Sequence, residues 1–91
     1  MSITISPNRQ SPGQSVTVRI SGQEVDTGIH QIRFSSATGE TFDVTVKRID
    51  DNTVEVETGA DWPVAGYNVI GLDHALPPQE KFMVVNGYLI S

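Results

Sequence analysis

Apolar residues in this chain recur at every second position and nowhere at helical spacing, so its core must be built from strands. Val16, Val18 and Ile20 alternate with Thr17, Arg19 and Ser21, and Phe42, Val44 and Val46 alternate with Asp43, Thr45 and Lys47. Ile3 and Ile5, Ile32 and Phe34, Val54 and Val56, and Tyr67 and Val69 repeat the pattern, and a last strand covers 81–86 with 87–91 trailing beyond it. Pro7, Pro12-Gly13, Gly22, Gly39, Asn52, Pro63 and Pro77-Pro78 punctuate these runs with turn signals. Seven short strands with turns about every 8–12 residues predict an all-β, antiparallel β-sandwich of the immunoglobulin-like kind.

The hairpin around Asp50-Asp51-Asn52 specifies its own register. A three-residue loop there pairs Val46 with Val56 and Lys47 with Glu55, so apolar meets apolar and opposite charges meet. A slip by one residue would set Glu against Val.

Ninety-one residues accommodate one core, so 1–91 reads as a single domain. A net charge of −5, with four Arg and two Lys scattered along the chain, opposes nucleic-acid binding, which needs cations to neutralise phosphates. There is no Cys for a disulfide or a thiolate site, and no motif for a cofactor. No apolar run is long enough to span a bilayer and no signal pattern precedes the first strand, so no membrane partner is expected. The initial Met runs straight into a strand pattern, as in an unprocessed cytoplasmic product.

Up-and-down strands sort the loops into two ends. Loops 22–29, 50–52 and 73–79 share one end, which collects Glu24, Asp26, Asp50, Asp51, Asp73 and Glu80, six of the eleven acids. Such loops could ligate calcium, but no Asp-x-Asp-x-Asp spacing concentrates the oxygens, and a solvated acidic pole is the simpler reading. His30 and His74 could meet near this end with Asp73 as a metal site or an acid–base pair, but the further spaced ligand that a zinc site requires is missing, and exposed loop histidines are the simpler reading. No nucleophile-elbow motif organises the serines, so the chain reads as a non-enzyme with no metal. The opposite end receives Pro7, Pro12, Trp62, Pro63, Val64 and the trailing Tyr88-Leu89-Ile90. Trp62 there is either a contact anchor or a plug for the core. Tyr88, Leu89 and Ile90 read as contact residues, because a bare apolar edge is normally covered or paired.

Ile5-Ser6-Pro7-Asn8, Ser11-Pro12-Gly13 and Val16-Thr17-Val18-Arg19-Ile20-Ser21-Gly22 resemble the opening of the IPT/TIG group of immunoglobulin-like domains. Ile32-Arg33-Phe34, Ala65-Gly66-Tyr67-Asn68-Val69 and Phe82-Met83-Val84 resemble that group's later strands. Two places depart from the pattern: Gly13-Gln14 replaces a double glycine, and Gly22-Gln23-Glu24-Val25 replaces Gly-x-x-Phe. The resemblance implies the fold, and the placing of Tyr67 at the start of the sixth strand suits a tyrosine corner.

Small immunoglobulin-like domains are common accessory parts of tailed-phage particles. With that resemblance, the expected function is a non-catalytic structural or interaction module, a capsid decoration or tail-associated protein of a phage virion. It would be made in the host cytoplasm and dock through its apolar end on capsid or tail subunits, or on further copies of itself. The alternative is an adhesion or carbohydrate-binding module excised from a larger bacterial surface protein or enzyme. Trp62 and Tyr88 would be its aromatic platforms.

Overall fold

Residues 3–74 and 79–91 are described in the computed structural model. The alternating runs all become strands: β1 (Thr4–Ser6), β2 (Arg9–Gln10), β3 (Thr17–Ser21), β4 (Ile29–Ser36), β5 (Thr41–Thr45), β6 (Lys47–Asp50), β7 (Thr53–Glu57), β8 (Ala65–Asp73) and β9 (Glu80–Ile90). They form a sandwich of two sheets, ordered β1-β3-β7-β6 and β2-β9-β8-β4-β5. The ladder of β2 with β9 is parallel, and the others are antiparallel.

There are nine strands rather than seven because two continuous stretches cross from one sheet to the other. The first crosses at the cis Ser6–Pro7 bond: β1 pairs with β3, while β2 lies along the end of β9, with Arg9 beside Leu89 and Gln10 beside Ile90. Residues 9 and 10 are thus strand, although they lie between the turn signals at Pro7 and Pro12-Gly13. The second crosses at Val46, whose N–H donates to the His30 carbonyl at 3.1 Å before Lys47 opens the ladder with β7.

Lys47 faces Glu55 in the ladder, as the sequence predicts. Val46, at the crossing, is not paired with Val56 in it. The loop is also shorter than expected. Asp50 pairs with Thr53, a bulge around Ile49 absorbs one residue, and Asp51-Asn52 form the turn. The Glu55 carboxylate goes to Arg19 at 2.7 Å, so the charge complement of Lys47 is taken from the neighbouring strand.

The inner faces meet in one core. Val18, Ile20, Val54 and Val56 from the first sheet pack against Ile32, Phe34, Tyr67, Val69, Phe82, Tyr88 and Ile90 from the second. Each such side chain, fully buried, contributes roughly 1.5–3 kcal/mol relative to exposure. The Tyr67 hydroxyl donates to the Pro63 carbonyl four residues upstream at 2.6 Å, which is the tyrosine corner.

Gly71 faces Phe82 across the β8–β9 ladder, and the Phe82 ring occupies the place a Cβ on residue 71 would take. Gly71→Ala should therefore cost about 1–3 kcal/mol, the usual range for overpacking. Urea unfolding checks this, and Phe82→Leu in the same chain should recover part of the loss.

Candidate functional site

The strand directions bring loops 22–28 and 50–53 to one end, joined by the bond from the Gly22 N–H to the Asn52 carbonyl at 3.0 Å. Asp73 and His74 reach the same end, where the His74 N–H donates to the Gly28 carbonyl at 3.2 Å. The acids are held there by a cation from below. The Arg48 guanidinium donates to the carbonyls of Val25, Asp26, Ile29 and Asp50, so it folds the loop 22–28 around itself. Asp26 accepts from the Gly28 N–H at 3.0 Å, and the Asp26 and Asp73 carboxylates crowd the place where a side chain on residue 28 would stand.

Asp73 and Glu80 reach out to the second sheet, pairing with Lys81 and Arg33, each at 3.7 Å. Among the described residues, no three Asp, Glu or His side chains converge as metal ligands would.

His30 and His74 do meet. Their rings stack at 4.4 Å with planes 14° apart. Rings stacked face to face cannot both aim an in-plane nitrogen at one ion. His30 Nδ1 is buried and has no hydrogen-bond partner among the described residues.

The opposite end differs from the sequence-based expectation in a definite way. Trp62 is buried at 8% exposure, stacked on Phe42 at 4.5 Å and tilted against Phe34 at 5.0 Å. Gly59 is required beside it, since the indole fills the space of a Cβ there. Tyr88 and Ile90 are fully buried, because β9 runs on through them and β2 covers that part of its edge. These three side chains therefore face inward rather than a partner, and neither Trp62 nor Tyr88 is open as a sugar platform. Pro12, Pro63 and Leu89 remain on the surface, joined by Val64 at 63% exposure.

A buried polar knot closes this end. The Gln10 Oε1 accepts from the Tyr88 hydroxyl at 2.7 Å and the Thr58 hydroxyl at 2.6 Å, while its Nε2 donates to the Gln14 carbonyl at 2.7 Å. The Thr58 hydroxyl oxygen in turn accepts from the Val16 N–H at 2.9 Å. Gln10→Ala would strand buried hydroxyls without an acceptor, so a loss of about 1–3 kcal/mol is expected in chemical unfolding.

The outer face of the second sheet carries an apolar row of which the sequence reading named Val64 and Leu89 and passed over Met83 and Val85. Val64, Met83, Val85 and Leu89 are four of the five exposed large apolar side chains among the described residues. Met83 and Val85 alternate with the inward Phe82 and Val84, and Leu89 points out between Tyr88 and Ile90. The signal was present: the outward positions of β3, β5 and β7 are mostly Thr, Asp, Glu or Arg, whereas in 82–85 both faces are apolar.

Beside this row, Arg33 grips Asp43 with two bonds, at 2.8 and 3.1 Å. Those hydrogen bonds, with the charge behind them, hold the Asp43 carboxyl below its ordinary range against the opposing effect of burial. A carboxyl depressed in the folded state stabilises above its unfolded value, and that share is lost as pH falls through the folded value. Asp43→Asn should cost a few tenths to about 1 kcal/mol at neutral pH. Below about pH 4 the two proteins should converge in urea midpoint as the carboxyl protonates.

Strand order and tyrosine corner together define an immunoglobulin-like β-sandwich, with β1-β3-β7-β6 opposing a sheet centred on β9-β8-β4. No protein-family model matches the chain, and no curated protein matches it by sequence. The likeness to the IPT/TIG group rests on the motifs alone.

Proposed function

We propose that the protein is a non-catalytic interaction module, an accessory subunit of a phage virion that docks on capsid or tail subunits. The observation that carries this reading is the apolar surface at the end opposite the acidic loops, made by Val64 at 63% and Leu89 at 40% exposure with Pro12 and Pro63 exposed nearby. Val64 lies two residues before Gly66, the ladder partner of Leu89, so the two side chains are diagonal neighbours on one face. Buried Tyr88 and Ile90 flank Leu89 on the same strand. The acidic end then faces solvent.

Removing Tyr88, Leu89 and Ile90 would not test this, because two of the three are core. Lysine at Val64 and Leu89 would, since both positions are exposed. Each variant should keep its thermal midpoint yet lose about tenfold or more in particle occupancy, equivalent to about 1.4 kcal/mol. Quantitative mass spectrometry of purified particles reads the occupancy. Undiminished incorporation of both variants would rule out docking through this end, and absence of the natural chain from particles would rule out the virion reading itself.

A further inference from the structure

The two sheets leave the sandwich open along two sides. On one side, a groove of about 370 Å³ runs between β5 and β7, floored by Val44, Val46 and Val56 and rimmed by Lys47, Glu55 and Glu57. On the other, a groove of about 220 Å³ runs between β1 and β9, lined by Ile3, Ile5, Val84, Val85, Asn86 and neighbours. The first has a charged rim. The second has none, since no side chain from Ile3 to Asn8 or from Phe82 to Ser91 is charged.

The second side is also an open strand edge. β2 covers β9 at Leu89 and Ile90, and among the described residues no strand pairs with that edge of β9 from Lys81 to Gly87. Met83 at 50% and Val85 at 68% exposure stand on the outer face of this stretch. Open edges are normally blunted by charge, by proline, by a bulge or by cover, and here a bulge of β9 lies beyond Val84, over 85–87. Phe82-Met83-Val84-Val85 has neither charge nor proline.

We propose that this edge is where a second copy of the chain binds, β9 against β9 in antiparallel sense, joining two five-stranded sheets into one. Charge selects this occupant. A chain carrying −5 is repelled by its own copy, and along this side, where Phe82 to Ser91 and Ile3 to Asn8 carry no charged side chain, two copies can approach without opposing like charges. Glu80 and Lys81, at one end of the edge, are each paired within the chain, to Arg33 and Asp73. A dyad through Val84 sets Met83 opposite the mate's Val85 on the outer face and Val84 opposite itself on the inner one, and it keeps each Lys81 clear of its mate. Antiparallel pairing about a dyad is an isologous contact that closes at two copies. The apolar grooves of the two protomers then face each other across the dyad, so Val84 and Ile5 lose water on both sides. This contact is separate from the Val64–Leu89 surface and stands or falls without it.

Sedimentation equilibrium of the purified chain from micromolar to millimolar concentration tests the proposal. The natural chain should show reversible dimerisation, and amide exchange at 82–86 should slow as the dimer forms. Val85→Lys should remain monomeric throughout, with an unchanged thermal midpoint, while Val64→Lys should dimerise normally. A natural chain that stays monomeric to millimolar concentration overturns the proposal, as does a Val85→Lys dimer of undiminished affinity. Protection of 82–86 that arises only when capsid or tail subunits are added would also overturn it, by assigning the edge to a different partner.

Discussion

The sandwich depends on one amide. Gln10 is a buried polar residue on a two-residue strand, and its side chain joins segments far apart in sequence: the β2–β3 connection at Gln14, the end of β7 at Thr58, and the last strand at Tyr88. Hydrophobic burial holds the two sheets face to face without fixing how they end. The amide adds direction, because its one oxygen accepts two buried hydroxyls and its nitrogen satisfies a loop carbonyl. Stranding any of these groups costs more than an ordinary hydrogen bond contributes. The knot therefore fixes where β2 lies, and with it which part of β9 is covered and which part is open.

Alternation in the sequence made the strands and their inward faces legible. Val18, Ile20, Ile32, Phe34, Val54, Val56, Tyr67 and Val69 are all in the core. The register of Lys47 on Glu55 was legible too, because shifting it would have buried a charge. The two crossings were not. Period two says which face a residue takes and nothing about which sheet its backbone bonds to, so Val46 kept its inward face while its N–H went to His30 instead of a ladder with Val56. Gln10 gave no signal either, since a polar residue between two prolines reads as a turn until its partners are known.

The candidate surface was legible in position and not in membership. Loop sorting placed the acidic residues at one end and the apolar ones at the other, and the strand directions agree. Which apolar residues are free depends on the continuation of β9 past Gly87 and on the cover given by β2, both long-range effects. Trp62 illustrates the point. Its neighbours Phe34 and Phe42 lie twenty or more residues away in the chain, and only their ladder brings them under the indole.

The parallel ladder of β2 with β9 also sets how the molecule bears load. Thr4 sits beside Ser21 near the acidic end, and Ile90 beside Ala65 at the other, so tension applied through these strands runs along the length of the sandwich. Two segments paired in parallel and pulled apart this way must shear. The bonds from the Leu89 N–H to the Asn8 carbonyl and from the Ser91 N–H to the Gln10 carbonyl then strain together and fail together. An antiparallel hairpin pulled from its open end would give them up one at a time. The shortest strand in the fold is thereby its mechanical clamp, and resistance to force, unlike stability at rest, is governed by the rate at which that clamp opens.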